Sequence, residues 1–234
     1  MKLRNKVGCW LLTCCFLWNF FTAPTFSSEA YGHVYCRSSA KEKQIALTFD
    51  DGPHPRYTKE ILSILEEYHI PATFFIIGIN AEQYPDMLQK IVDSGCEIGN
   101  HTYSHKRISS LSEEELTKEI IRCEEALYRL VGIRPHVFRP PEGMMNPSLQ
   151  ALMNKKRYHV VLWSIDTLDW ALNPSSAITQ TVMKELKGGD IILMHDYVSG
   201  GNTTCDALRR IIPEILAKGY EFVTVSELIQ GDSP

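Results

Sequence analysis

Several things missing from this chain narrow it before anything present does. Basic residues are not in excess: 24 Lys and Arg face 28 Asp and Glu, and the pI is near 6.1. No basic face is therefore available for nucleic acid, which is excluded as a partner. No low-complexity linker or internal repeat interrupts the order of elements. No glycine-rich phosphate loop follows the first strand-like run, which argues against a doubly wound dinucleotide-binding sheet. The HExxH signature of helical zinc proteases is lacking too. Cysteine is scarce: there are seven, and Cys9, Cys14 and Cys15 fall in the N-terminal leader. Cys36, Cys96, Cys123 and Cys205 remain, an even number that permits disulfides in an exported domain. Cys96 and Cys123 read equally well as small core residues.

One long apolar run exists, Val7 to Phe21, broken by Thr13 and Asn19 and preceded by Lys2, Arg4 and Lys6. It is short for a spanning helix, which needs about 20 apolar residues, and has the outline of a secretory signal. Residues 1–30 are expected to be a signal peptide, with small residues Ser28 and Ala30 offering cleavage after Ala30, or else an uncleaved membrane anchor. The segment would engage the membrane or the export machinery. The protein is accordingly expected outside the cytoplasm, whether periplasmic, extracellular or membrane-anchored.

The chain beyond this leader reads as one domain. The 234 residues, 44% of them hydrophobic, suffice for one well-buried core and are few for two. After a spacer over residues 31–42, a catalytic domain is expected over 43–232, in which short apolar runs alternate with helix-period segments. Candidate strands are Gln44 to Phe49, Thr73 to Ile77, Cys96 to Gly99, His136 to Phe138, Tyr158 to Trp163, Asp190 to Met194 and Glu221 to Val225. Ser112 and Glu115 form a capping box for a helix carrying Leu116, Ile120, Cys123, Leu127 and Leu130 on one face and stopping at Gly132. Further helices run from Ser175 to Leu186 and from Thr203 to Ala217, the second containing Pro213. This alternation predicts an α/β fold, a distorted (β/α) barrel of about seven parallel strands.

The unusual polar residues fall where strands end. Asp50 and Asp51 in TFDDGP close the first strand, and His101 and His105 in HTYSH follow the third. Arg139 in FRPPEG, Asp166 and Asp169 in DTLDW, and His195 after IILM follow others. In such folds the rim at the strands' carboxyl ends carries function. Two imidazoles four residues apart can reach one metal ion, though such pairs are often only hydrogen-bonded; a neighbouring carboxylate strengthens the metal reading. If Asp51 binds the metal, Asp50 stays free beside the metal's water as a base. Arg139 could brace Asp50 through a two-pronged ion pair, or the Pro-Pro-Glu-Gly segment could simply be a turn. His195 could donate a proton, oriented by a nearby aspartate. Trp170 offers a flat wall for a sugar ring.

In this order, TFDDGP, HTYSH, FRPPEG, DTLDW and LMH resemble the five motifs of the polysaccharide deacetylases, carbohydrate esterase family four, also called the NodB homology domain. The match runs from about Lys43 to Ile229. The resemblance implies a hydrolase acting on carbon–nitrogen but not peptide bonds, which removes acetyl groups from an acetylated glycan with one divalent metal ion. Zinc is the usual ion; cobalt, iron and nickel accept the same ligand types. By the same resemblance Asp50 is the general base, and Asp51, His101 and His105 hold the metal. Arg139 steadies Asp50, Asp169 tunes His195, Leu193 borders the acetyl methyl group, and His195 is the general acid. The backbone N–H near Glu142 would stabilise the tetrahedral intermediate. One departure stands out: the third motif usually carries Tyr where this chain has Glu142, which removes a ring contact to sugar and adds a charge that opposes the intermediate. The rival expectation is a glycan-binding protein of the same fold with little or no turnover.

Overall fold

The computed structural model describes residues 32–39, 41–198, 201, 203–230 and 232. The expected leader lies outside the described residues. Among the described residues, nine strands form one parallel sheet: β1 (Val34–Tyr35), β2 (Gln44–Asp50), β3 (Thr73–Ile76), β4 (Glu97–Asn100), β5 (Val137–Phe138), β6 (His159–Val161), β7 (Ile165–Asp166), β8 (Ile191–His195) and β9 (Glu221–Phe222). Their order is β1-β6-β5-β4-β3-β2-β8-β7, with β9 pairing the start of β2. Helices α1 (Tyr57–Glu67), α2 (Gly78–Gln83), α3 (Pro85–Asp93), α4 (Glu113–Val131), α5 (Pro147–Lys156), α6 (Ser175–Glu185), α7 (Thr204–Ala217) and α8 (Val225–Ile229) lie between and after them. The sheet curls without closing, since β1 and β7 are its two ends.

All seven strands expected from the sequence are present, within a few residues at their ends. The two additional ones, β1 and β7, are residue pairs outside the runs read as strands, and they become strands by pairing with β6 and β8. β1 arises inside the segment read as a spacer, where Val34 and Tyr35 pair with Val160 and Val161. α4 follows its sequence signals closely. The Ser112 hydroxyl accepts from the Glu115 N–H, the Glu115 carboxylate accepts from the Ser112 N–H, and Gly132 ends the helix with φ 73°. α7 is continuous through Pro213. None of Cys36, Cys96, Cys123 and Cys205 is in a disulfide; all four are free thiols, the last three buried. The permission the even count gave is therefore unused, and the core reading holds for Cys96 and Cys123.

Strand alternation decides what faces where. On β2, Ile45, Leu47 and Phe49 point outward into the main core with Ile61, Leu65, Leu208 and Ile212 of α1 and α7. Ala46 points inward with Phe75, Val137, Val161 and Ile191, a second core that Val225, Leu228 and Ile229 of α8 cover. The same inward parity carries on through Thr48 to Asp50, so the carboxylate appears at the top of the curl. Register then gathers the rim: Asp50 lies beside Phe75 of β3 and His195 of β8, and Asn100 beside Phe138. Among the described residues no helix is long and apolar enough to cross a membrane.

Candidate active site

Arg139 organises the site from below. Its side chain is fully buried inside the curled sheet, with the guanidinium 4.1 Å from the Phe75 ring centroid. Nη1 donates to Asp50 Oδ1 at 2.7 Å and to Thr48 Oγ1 at 2.8 Å. Nε and Nη2 donate to the carbonyls of Val161 and Leu162 at 3.1 and 2.9 Å. The brace is thus shared between Asp50 and three neighbours, rather than being a two-pronged pair with one carboxylate. Breaking such a buried pair from one side costs about 3–5 kcal/mol. Only one Asp50 oxygen is bound to Arg139; Oδ2 is 3.8 Å from His101 Nε2.

Asp51 turns the other way. Its φ is +76°, a conformation costly for a residue with a side chain and common at functional sites. Its Oδ1 stands 3.6 Å from His101 Nε2 and 3.3 Å from His105 Nε2. His101 hydrogen-bonds the Arg139 carbonyl through Nδ1 at 2.8 Å, which assigns the proton to Nδ1 and leaves Nε2 as a lone-pair donor. Burial penalises charge throughout this cluster. It would raise the Asp51 pKa, but His101 and His105 outweigh it and hold the carboxyl below the usual range. Burial likewise works against a His101 proton, yet Asp50 and Asp51 bring its pKa above the ordinary value. For His105, burial and the neighbouring His101 lower it.

A divalent ion fits this set. One donor atom each from Asp51, His101 and His105 lies within 4.8 Å of the others, and Asp51 Oδ1 is buried without a hydrogen-bond partner. An unsatisfied buried oxygen facing two imidazole nitrogens is costly unless a cation completes it. One carboxylate and two imidazoles are a set that catalytic zinc accepts while leaving positions open.

On the opposite wall, His195 Nδ1 and Asp169 Oδ1 are 2.8 Å apart. Asp169 is itself pinned, its Oδ2 accepting from the His195 N–H at 2.8 Å and the Thr204 hydroxyl at 2.7 Å. Burial disfavours the imidazolium, but Asp169, Asp50 and Asp51 together carry its pKa up to about 9. Asp166 plays another part. Its Oδ1 accepts from the Leu168 N–H and from Trp170 Nε1, so it orients the indole and not the imidazole.

A cavity of about 390 Å³ joins these walls, lined by Asp50, Asp51, His101, His105 and His195 together with Glu142, Gly143, Trp163, Asp166, Trp170 and Leu193. Arg139 and Asp169 stand one layer behind. The eleven residues singled out from the sequence are thus all at one place. Sequence reasoning missed Trp163, whose ring lies where a Cβ on Gly143 would come within 2.7 Å, so Gly143 is required there. It also missed Arg107, which binds Glu142 through both carboxylate oxygens at 3.0 to 3.3 Å. Asp196 was missed as well: fully buried next to His195, it accepts from the Thr58 hydroxyl, and burial pushes its pKa to about 7. A Cβ at Gly52 would run into that carboxylate, which explains the glycine of TFDDGP by close approach. The residue types Asp and Trp beside motifs gave a faint signal; nothing in the sequence signalled the Arg107 pairing.

The family model described as polysaccharide deacetylase matches residues 37–161, more than half of the chain. The chain belongs to the polysaccharide deacetylase family. A peptidoglycan N-acetylglucosamine deacetylase of Bacillus cereus is 40% identical over 204 residues, covering 86% of this chain and 95% of that protein. A peptidoglycan N-acetylmuramic acid deacetylase of Bacillus subtilis is 38% identical over 187 residues, covering 80% of this chain and 39% of its own length. Among solved structures, that of the Bc1960 peptidoglycan N-acetylglucosamine deacetylase superposes with a TM-score of 0.82 at 37% identity, covering 86% of this chain and 94% of that one. By fold and family this polysaccharide deacetylase is a hydrolase.

Proposed function

We propose that the chain is an exported, metal-dependent deacetylase removing N-acetyl groups from a cell-wall or chitin-like polysaccharide, with N-acetylglucosamine units of peptidoglycan as the leading substrate. The observation that carries this reading is the division of labour between adjacent acids: Asp50 is fixed by Arg139, while Asp51 leaves a buried oxygen toward His101 and His105. The names of the similar proteins support the substrate class. The basic and apolar leader, read as a signal or anchor, supports export.

Asp51, His101 and His105 would hold the divalent ion, zinc first among zinc, cobalt, iron and nickel, and when bound it would polarise the acetyl carbonyl and acidify water beside it. Asp50, through the oxygen not taken by Arg139, accepts the proton of the attacking water. Arg139 keeps that carboxylate from swinging onto the ligand cluster. The Glu142 backbone N–H donates to the oxygen of the tetrahedral intermediate. His195, kept protonated by Asp169, gives its proton to the departing amine. Leu193 borders the acetyl methyl group and Trp170 flanks the sugar. The charge of Glu142, which would oppose the intermediate, is offset by Arg107.

Acetate release from N-acetylglucosamine oligomers and from peptidoglycan tests the reading. Activity is expected to vanish when a chelator strips the protein and to return with Zn²⁺ or Co²⁺. Undiminished turnover by protein shown by metal analysis to be empty would overturn the mechanism. Glycan binding with no acetate released from any polymer would make this a binding protein instead.

A further inference from the structure

The loop that carries both imidazoles is held from two sides, and both holds come from residues outside every motif. From one side, the N–H groups of Gly78 and Ile79 at the start of α2 donate to the carbonyls of Thr102 and Tyr103 at 3.0 and 2.8 Å. From the other, Glu119 of α4 receives the Ser104 N–H on Oε2 and the Ser104 hydroxyl on Oε1, both at 2.8 Å. Lys106 Nζ lies 3.5 Å from the same carboxylate.

Glu119 is out of place on packing grounds. It is 6% exposed and sits on the α4 face that buries Leu116, Ile120, Cys123, Ala126 and Leu127. An apolar residue would serve a purely packed helix better, because a buried carboxylate is tolerated only when its oxygens are hydrogen-bonded. Here both oxygens are spent on one residue, Ser104, which immediately precedes the ligand His105. The loop needs such a hold. Thr102 and His105 have φ of +66° and +53°, a region that residues with side chains adopt at a cost. His101 is tied to the sheet through its N–H to the Ile76 carbonyl and its ring to the Arg139 carbonyl. The N–H of His105 is tied only locally, to Thr102 Oγ1 at 3.1 Å.

We infer that Glu119 is a positioning residue for the metal centre: by gripping Ser104 it sets the direction of His105, without touching metal or substrate. The inference rests on the metal site of the proposed function.

Glu119→Ala, Glu119→Gln, Glu119→Asp and Lys106→Ala separate geometry from charge. Zn²⁺ affinity is read by competition with a chromophoric chelator, ligand geometry from the visible spectrum of the Co²⁺ form, and folding from circular dichroism. Glu119→Ala is expected to weaken Zn²⁺ binding by roughly 10- to 100-fold, the usual effect of losing a support behind a ligand. Glu119→Gln keeps a carbonyl acceptor for the Ser104 N–H and an amide for its hydroxyl, and should stay within about 3-fold of the parent, a small part of that effect. Lys106→Ala should bind as the parent does. Glu119→Asp keeps the charge but withdraws it by one methylene, and should weaken binding even if the alanine variant fails to fold. A folded Glu119→Ala or Glu119→Asp protein with parental Zn²⁺ affinity and Co²⁺ spectrum would overturn the inference, as would a glutamine variant as weak as alanine. A parent protein that binds neither ion would overturn the metal centre itself, and this inference with it.

Discussion

Glu97 and Asp51 are acids at opposite ends of the sheet, and their surroundings differ in one respect that separates scaffold from site. Glu97 begins β4; its Oε2 accepts from the Thr73 hydroxyl at 2.8 Å and the Ser226 N–H at 3.1 Å, and its Oε1 from the Ser226 hydroxyl. Both oxygens are therefore satisfied, and they tie β3, β4 and α8 together across the closed end of the curl. Asp51, at the open end, keeps a buried oxygen with no protein partner while two imidazole nitrogens face it. A half-buried acid with both oxygens bonded ties the fold together; one whose buried oxygen is left incomplete in such company is prepared for something that the chain does not supply.

If this contrast is sound, changes at the two ends will separate turnover from stability. The largest effect is expected at the rim. Asp50→Asn preserves shape but cannot take a proton, so kcat for acetate release should fall by about 10²- to 10⁴-fold. Zn²⁺ affinity, measured by competition, should stay near that of the parent because Asp50 is not a ligand. A parallel loss of metal would blur the distinction between the two acids.

Asp169→Asn comes next and is read in the pH profile. The carboxylate raises the His195 pKa, carried to about 9 in the native site. His195 must be protonated to act as an acid. Removing Asp169 lowers that pKa, so the alkaline limb of kcat/KM should move to lower pH, with about 10- to 100-fold less activity on the alkaline side. An unmoved limb would show that another group supplies the proton.

The smallest effect on chemistry is expected at the closed end. Glu97→Ala strands the Thr73 and Ser226 donors and should cost about 1–3 kcal/mol in urea or thermal unfolding. Per folded molecule, kcat should stay close to parental. A large drop in kcat there would mean that the closed end shapes the rim, and the comparison would fail.

Much of this was legible in the chain because the signals are local. Capping, left-handed glycine stops and short apolar runs act within a few residues, which is why α4 and seven strands could be placed. β1 and β7 were not legible: each is a pair of residues outside the longer apolar runs, made a strand only by pairing with β6 and β8. Which aspartate of DTLDW reaches His195 was open on spacing alone. The turn through Leu168, with φ +55°, sends Asp169 to the imidazole and leaves Asp166 under Trp170.

By itself, the amino-acid order determined the βα alternation and the placement of every ionisable motif at a strand end, because these depend on neighbours along the chain. Only the tertiary structure decided that Arg139 is shared among Thr48, Asp50, Val161 and Leu162, that Arg107 offsets Glu142, and that Glu119 grips the loop before His105. Those contacts join segments up to 91 residues apart. Their partners are chosen by how the sheet curls and how α4 docks, and no local preference encodes such a choice.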